Sequence, residues 1–154
     1  MKRNCKKIYV ICMLLLLAIP AYSQSAADIE GLLSEKAITC EQAAWFTLVS
    51  VQEAAEEDDP LPASGAFAAA QEKGWIKAEG GDAITLSRLS LLLMHAYDLK
   101  GGLMYRLTGS ARYAFREMKA LGFINGRVYP NQTVSGEEFL QILGSVTAEK
   151  DGAW

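Results

Sequence analysis

Histidine is scarce in this chain of 154 residues, since His95 is its only one. Zinc sites and general-base arrangements need several His, Cys or carboxylate groups at matched spacing, and His95 has no such partner in the sequence. The adjacent acids Glu137 and Glu138 point in different directions on a helix, so they do not form the facing carboxylate pair of a glycoside hydrolase. The sequence therefore predicts a protein that is not an enzyme and that holds no metal and no cofactor.

Cysteine is almost as scarce, with three residues in the whole chain. Cys5 and Cys12 lie in an N-terminal segment that we expect to be removed, which leaves Cys40 alone. No disulfide can then form within the chain, so packing of apolar side chains must hold the fold. We interpret Cys40 as a small apolar residue of a helix, and a reactive thiol or an intermolecular link is the alternative.

Charged residues are absent from residues 8–19, an apolar run of 12 residues that follows four basic residues. This pattern, closed by Pro20 and by small residues at Ala21 and Ser23, is typical of a secretory signal peptide. We predict a signal peptide over residues 1–23 and a single domain over residues 24–154. The alternative is an uncleaved anchor, but a bilayer span takes about 20 residues. The expected protein is exported, to the periplasm or to the cell envelope or surface, with no stable membrane span after cleavage.

Basic residues are few after Ser23, where 11 of them stand against 18 acidic residues and give a net charge of −7. Nucleic acid is bound through an excess of Lys and Arg that neutralises its phosphates. The composition therefore excludes nucleic acid as an expected partner.

Three short segments repeat one pattern, an apolar β-branched residue followed by a hydroxyl residue. They are Ile38-Thr39, Ile84-Thr85 and Val134-Ser135, spaced 46 and 50 residues apart. The hydroxyls of Thr39, Thr85 and Ser135 can each accept a hydrogen bond from an amide in the first turn of a following helix. We predict that these three residues cap three equivalent helices, because repeats at this period stack copies of one structural unit.

The three predicted caps differ in strength. Gln42 and Glu138, three residues after their caps, can complete a reciprocal capping box. Arg88 occupies the same position after Thr85 and cannot, so the second cap is expected to be the weakest.

Apolar residues at helical spacing follow each cap. The predicted core faces are Ala43, Phe46, Val49 and Val51 in the first copy, Leu89, Leu92, Leu93 and Ala96 in the second, and Phe139, Ile142, Leu143 and Val146 in the third. Residues 147–154 are predicted to be frayed.

A second helix precedes the cap in the two later copies. It ends at Gly74 or Gly122, where we expect a left-handed conformation before an aromatic residue and an Ile that return to the core. The first copy has only a short candidate at residues 28–33, and residues 103–108 predict one extra turn. The sequence therefore predicts an all-α fold, a compact helical bundle of three pseudo-repeated helix–loop–helix units over residues 28–52, 65–99 and 110–147.

The third unit contains a further run of recognisable residues. They are Arg112-Tyr113-Ala114-Phe115, Ala120-Leu121-Gly122-Phe123-Ile124-Asn125-Gly126, Tyr129-Pro130-Asn131 and Val134-Ser135-Gly136-Glu137-Glu138-Phe139. This order resembles the S-layer homology module, a family of exported bacterial cell-envelope modules with two main helices each, often used in threes as a pseudo-threefold bundle. The resemblance implies such a bundle, and a wall polymer or an envelope protein as partner.

The chain departs from that family at one functional position. Where the family carries the Arg that contacts an anionic wall polymer, this chain has Cys40, Leu86 and Gly136. None of these side chains can form a charge-assisted hydrogen bond to an acidic sugar substituent. An anionic ligand would therefore need another surface.

Residues 100–127 form the one basic stretch of the chain, with six basic residues against a single acid, Glu117. Arg112, Arg116 and Lys119 share one helix face, since they lie at positions i, i+4 and i+7. We predict a binding surface made of Arg106, Arg112, Tyr113, Arg116, Lys119 and Arg127. The alternative is a solvated helix face whose arginines pair with Glu117 and with the acidic linker of residues 53–65.

Together these features predict an exported, non-catalytic cell-envelope module that binds a wall polymer such as peptidoglycan, or an envelope protein. The alternative is a structural or scaffolding domain that acts through protein contacts without binding a glycan.

Overall fold

The structure is a computed structural model that describes residues 21–54 and 62–151. Its helices are α1 (Ala21–Ser34), α2 (Cys40–Ala54), α3 (Ala63–Glu72), α4 (Leu86–Ala96), α5 (Leu103–Thr108), α6 (Ala111–Ala120) and α7 (Gly136–Asp151). Within these ranges the only β-type pairings are two isolated bridges, Thr39 with Ala83 and Thr85 with Thr133. The described part of the chain is therefore all-α.

The chain divides into two compact units, Met1–Ser34 and Glu35–Trp154. The described part of the first unit is α1, which is longer than the helix predicted at residues 28–33. Residues 1–20 of the predicted signal peptide, and residues 55–61 of the predicted acidic linker, lie outside the described residues. None of the described helices has both the length and the apolar content needed to cross a membrane.

The second unit contains a closed ring of three backbone hydrogen bonds. The Ile84 N–H donates to the Ile38 carbonyl (2.9 Å), the Val134 N–H to the Ile84 carbonyl (3.1 Å), and the Ile38 N–H to the Val134 carbonyl (2.9 Å). All three side chains are fully buried. Because each residue both donates and accepts, the ring satisfies its buried backbone groups without help from water.

The helices α2, α4 and α7 each begin two residues after a member of this ring. Their first N–H groups also bond across the unit: that of Cys40 to Asp82 O (2.8 Å), that of Leu86 to Gln132 O (2.9 Å) and that of Gly136 to Glu35 O (3.0 Å). These bonds satisfy helix-end amides that have no partner inside their own helix. The three helix starts thus occupy equivalent positions around the ring.

The same three helices are tied together again near their C-terminal ends. The Tyr97 hydroxyl, just after α4, lies 2.7 Å from Ser50 Oγ of α2 and 3.1 Å from Thr147 Oγ1 of α7. Lys150 Nζ of α7 donates to the Tyr97 carbonyl (2.8 Å). The long-range bonds at both ends fix how α2, α4 and α7 pack.

The helix caps differ among the three starts. Thr39 and Gln42 form a reciprocal box, in which the Gln42 N–H donates to Thr39 Oγ1 (3.2 Å) and the Thr39 N–H to Gln42 Oε1 (2.8 Å). Ser135 Oγ accepts the Glu138 N–H (3.2 Å). Thr85 stands at the N-cap of α4, but its side chain makes no capping bond and lies 3.3 Å from Ser87 Oγ. The expected side-chain cap at Thr85 is therefore absent.

The glycines after α3 and α6 adopt the left-handed conformation that the sequence predicts, with φ of +71° at Gly74 and +83° at Gly122. The next N–H reaches back five residues in each case, from Trp75 to Ala70 O (2.9 Å) and from Phe123 to Met118 O (3.0 Å). These bonds form the Schellman arrangement that closes a helix. The predictions of a short helix at residues 103–108 and of a new helix after Ser110 are also confirmed.

Two local predictions are wrong. In α2 the fully buried face contains Ala43, Ala44 and Thr47, whereas the predicted core residues Phe46, Val49 and Val51 are only half-buried. The predicted frayed tail is helical as far as Asp151, because the contacts of Thr147 and Lys150 with Tyr97 hold it. Residues 152–154 lie outside the described residues.

Candidate functional site

The candidate site is the outer face of α6. Ala114, Phe115 and Met118 are buried on the inner side of this helix, while Arg112, Arg116 and Lys119 are exposed on the other. This separation of apolar and basic residues is the reason the segment folds as a surface helix. The basic side chains therefore face solvent along its length.

Lys119 brings a loop to this face. Its ammonium donates a hydrogen bond to the Gly126 carbonyl (3.1 Å), and the next residue in the loop is the exposed Arg127. Gly126 has a φ of +81°, a backbone conformation that residues other than glycine rarely adopt. The turn at Gly126 thus holds Arg127 next to the C-terminal end of α6.

Aromatic rings support two of the cations. The Arg116 guanidinium lies 5.7 Å from the centroid of the half-buried Tyr113 ring, and the Lys119 ammonium lies 6.0 Å from that of Phe115. Cations at such distances are attracted by the negative face of the ring. Tyr113 and Phe115 therefore restrict the positions of the charges without neutralising them.

Arg106 belongs to a different element, α5, which packs against α6. It is exposed and forms no hydrogen bond or ring contact with the α6 arginines among the described residues. The structure thus brings Arg112, Tyr113, Arg116, Lys119 and Arg127 together and places Arg106 on the adjoining helix. We call the first five residues the basic surface.

Glu117 does not neutralise this surface. Its half-buried carboxylate is directed at the Gly102 backbone, where Oε1 lies 2.9 Å from the position a Cβ would take. Within the described residues, neither Arg112 nor Arg116 has a carboxylate within ion-pair distance. The acidic linker in the alternative interpretation lies largely outside the described residues, so pairing with it stays a prediction.

The first residues of α2, α4 and α7, where the sequence resemblance predicts a polymer-binding Arg, are all buried in this chain. They are Cys40, Leu86 and Gly136. Burial raises the pKa of the Cys40 thiol, an effect that Asp82 reinforces and that the neighbouring Arg88 opposes. Cys40 is therefore held as a neutral, inaccessible group, consistent with a packing residue.

The proximity of Arg88 to Cys40 was not part of the sequence interpretation. The sequence does contain a sign of it. Arg88 lies three residues after its cap residue, at the position that Gln42 and Glu138 occupy in the other two helix starts. At that place Glu138 is half-buried, which raises the pKa of its carboxyl, while a hydrogen bond from the Ser135 backbone opposes the shift. Arg88 cannot accept such a bond, and its side chain instead interacts with Cys40 at the start of α2.

His95 belongs to an aromatic cluster. Its ring is parallel to that of Trp75, with the centroids 5.9 Å apart, and tilted toward that of Tyr105 at 6.2 Å. The Lys73 ammonium lies 4.6 Å from the centroid of the Trp75 ring. Although His95 is exposed, partial desolvation of its ring lowers its pKa. No group of three His, Cys, Asp or Glu side chains suited to a metal ion occurs in the described ranges.

Comparison of the sequence and the structure with known proteins identified no relative. No protein-family model, no curated protein and no solved structure matches this chain.

Proposed function

We propose that this chain is an exported, non-catalytic module of the bacterial cell envelope, in the periplasm or at the surface, that binds an anionic wall polymer such as peptidoglycan. The observation that carries the proposal is the basic surface, in which exposed Arg112, Arg116 and Arg127 have no acidic partner among the described residues. Unpaired exposed arginines in an otherwise acidic chain form a local site for an anion.

The proposed architecture is three units like the S-layer homology module. Its support is the hydrogen-bond ring of Ile38, Ile84 and Val134, together with helices that begin two residues after each of them. The matching glycine-ended turns after α3 and α6 are a second support. A pseudo-threefold arrangement explains why positions 46 and 50 residues apart meet at one point.

The geometry of the basic surface suits a polymer better than a single small anion. Arg112 and Lys119 are seven residues apart, which is about 10 Å along a helix axis. Their charges can therefore engage successive carboxylates or phosphates on an extended chain. Arg112 and Arg116 can each form two parallel hydrogen bonds to one such group. Several contacts are needed, because one exposed ion pair contributes about 0–1 kcal/mol.

The second candidate is a scaffolding domain that binds an envelope protein through the grooves between units. The uncharged Cys40, Leu86 and Gly136 favour it, since they lack the charge that the resemblance implies for polymer binding at these positions. The dependence of binding on ionic strength distinguishes the two candidate functions, because salt screens contacts between exposed charges and leaves apolar contacts intact.

Sedimentation with purified sacculi tests the proposal. The protein recovered after export should pellet with sacculi at low salt and much less at high salt. The double substitution Arg112→Glu and Arg116→Glu should abolish this binding. The matched control is Lys36→Glu with Lys77→Glu, which makes the same charge change at two exposed lysines outside the basic surface. Equal pelleting of the arginine variant and the wild type would refute polymer binding by this surface.

A further inference from the structure

A second exposed surface lies on α5, beside the basic surface. Leu103 is 78 % exposed, Leu107 is 76 % exposed and Met104 is 45 % exposed. Leu103 and Leu107 are four residues apart, so they are neighbours on one side of the helix. Single exposed apolar side chains are common on soluble proteins, but a contiguous group marks an interaction site.

The helix that carries these side chains is anchored firmly. Tyr105, on its inner side, is 8 % exposed and packs so closely on Gly101 that a Cβ there would collide with its ring. Gly109 closes the helix in a left-handed conformation, and its N–H donates to the Tyr105 carbonyl (2.7 Å). The leucines are thus held outward by a fixed element.

Basic residues lie on this helix and close to it in the chain. Arg106 is exposed on the same helix, and Lys100 and Arg112 are exposed just before and after it. The single acid of residues 100–127, Glu117, is half-buried with its carboxylate against Gly102. The nearest other acid along the chain is the exposed Asp98. The surface therefore combines apolar and positively charged groups.

We propose that this surface docks the protein on an anionic lipid bilayer. The side chains of Leu103, Met104 and Leu107 enter the boundary between headgroups and acyl chains, while Arg106, with Lys100 and Arg112 at the edge, contacts lipid phosphates. A bilayer matches this surface because it presents an anionic layer directly above an apolar one, and long basic side chains reach the outer layer from a buried position. Charge complementarity thus selects an anionic bilayer over a neutral one.

Docking on lipid goes beyond polymer binding, since it depends on the apolar residues of α5, which the proposed polymer contacts do not use. The two surfaces adjoin through Arg112. A protein docked by α5 would therefore hold the basic surface close to a membrane.

Co-sedimentation with lipid vesicles tests the proposal. The protein recovered after export, with its N-terminus checked by mass spectrometry, is mixed with vesicles of phosphatidylglycerol and phosphatidylcholine, or of phosphatidylcholine alone. We expect binding to the anionic vesicles and at least about tenfold weaker binding by the double variant Leu103→Ser and Leu107→Ser. The control Leu121→Ser removes an exposed leucine from the far end of α6 and should bind like the wild type.

Two further measurements keep the outcome decisive. In Leu103→Trp, the emission should shift to the blue when anionic vesicles are added, and by more than in the wild type, whose own tryptophans give the background. The leucine double variant should still pellet with sacculi, so that loss of lipid binding is separated from loss of polymer binding. Absence of binding to anionic vesicles, or equal binding by the leucine variant, would overturn the proposal. A wild type that dimerises through these leucines without binding vesicles would overturn it as well.

Discussion

Replacing Thr39 by alanine measures how much a side-chain cap contributes to this fold. The change removes the Thr39 hydroxyl that accepts the Gln42 N–H at 3.2 Å, while the bond from the Thr39 N–H to Gln42 Oε1 remains possible. Loss of one capping bond lowers the free energy of unfolding by about 1 kcal/mol, within a range of about 0.5–2 kcal/mol. Such a loss reduces the ratio of folded to unfolded protein about fivefold.

Thr85→Ala is the matched control. Both threonines are half-buried, both belong to a β-bridge and both precede one of the ring-centred helices, but the Thr85 side chain makes no capping bond and only a long hydrogen bond, of 3.3 Å, with Ser87 Oγ. The losses of the methyl group and of backbone freedom are therefore similar in the two variants and cancel when their stabilities are compared. We expect Thr85→Ala to cost less than about 0.5 kcal/mol.

Urea unfolding followed by far-UV circular dichroism gives both values by linear extrapolation. The expected order of stability is wild type, then Thr85→Ala, then Thr39→Ala, with unchanged slopes. If Thr85→Ala cost as much as Thr39→Ala, the difference between the two caps would have no energetic meaning and the reasoning would fail.

Four further predictions use the same unfolding measurement. Gly144→Ala, inside α7 with open space around the new Cβ, should stabilise the protein by about 0.5–1 kcal/mol. Gly122→Ala should destabilise it by about 1–2 kcal/mol, because alanine strains the φ of +83°, and equal effects of the two would contradict this account. Thr47→Val should stabilise it by about 1 kcal/mol, since the buried hydroxyl has no partner among the described residues; a loss would show that the hydroxyl is satisfied. Partial desolvation lowers the pKa of His95, so the unfolded chain binds its proton more readily, and stability should fall as the pH drops below about 6.5. That decrease should be smaller in His95→Gln, and identical pH profiles would refute it.

The sequence predicted the helix starts and the glycine-ended turns well because these features are local. A hydroxyl cap acts on amides two or three residues away, and a left-handed glycine closes the turn beside it. The exposure of Arg112, Arg116 and Lys119 could also be predicted from the sequence. Their spacing and that of the buried Ala114 and Met118 follow the same helical period.

The core face of α2 could not be read from the sequence. Apolar residues occupy nearly every position from Ala43 to Val49, so the pattern does not choose a face. The large rings of Trp45 and Phe46 lie 4.7 Å apart, and Phe46 meets Phe139 edge-on at 6.3 Å, while the small residues turn inward. The volume of the side chains, rather than their hydrophobicity, therefore determines which face of α2 is buried.

The remaining differences come from long-range contacts. The order of α7 beyond Thr147 depends on the bonds to Tyr97, which lies 50 residues away from Thr147 and 53 from Lys150 in the chain. The place of Arg127 in the candidate site likewise depends on the bond from Lys119 to the Gly126 carbonyl. Such contacts follow from how the helices pack, and no local sequence pattern predicts them.

The most direct test of the proposed function is to locate the bound polymer on the protein. Soluble fragments of purified sacculi are titrated into ¹⁵N-labelled protein, and the amide chemical shifts are followed by NMR. We predict that the shifts change along α6 and at Gly126 and Arg127, and that the changes diminish as salt is added. Changes confined to the helix starts at Cys40 and Leu86, or no changes at all, would contradict binding by the basic surface.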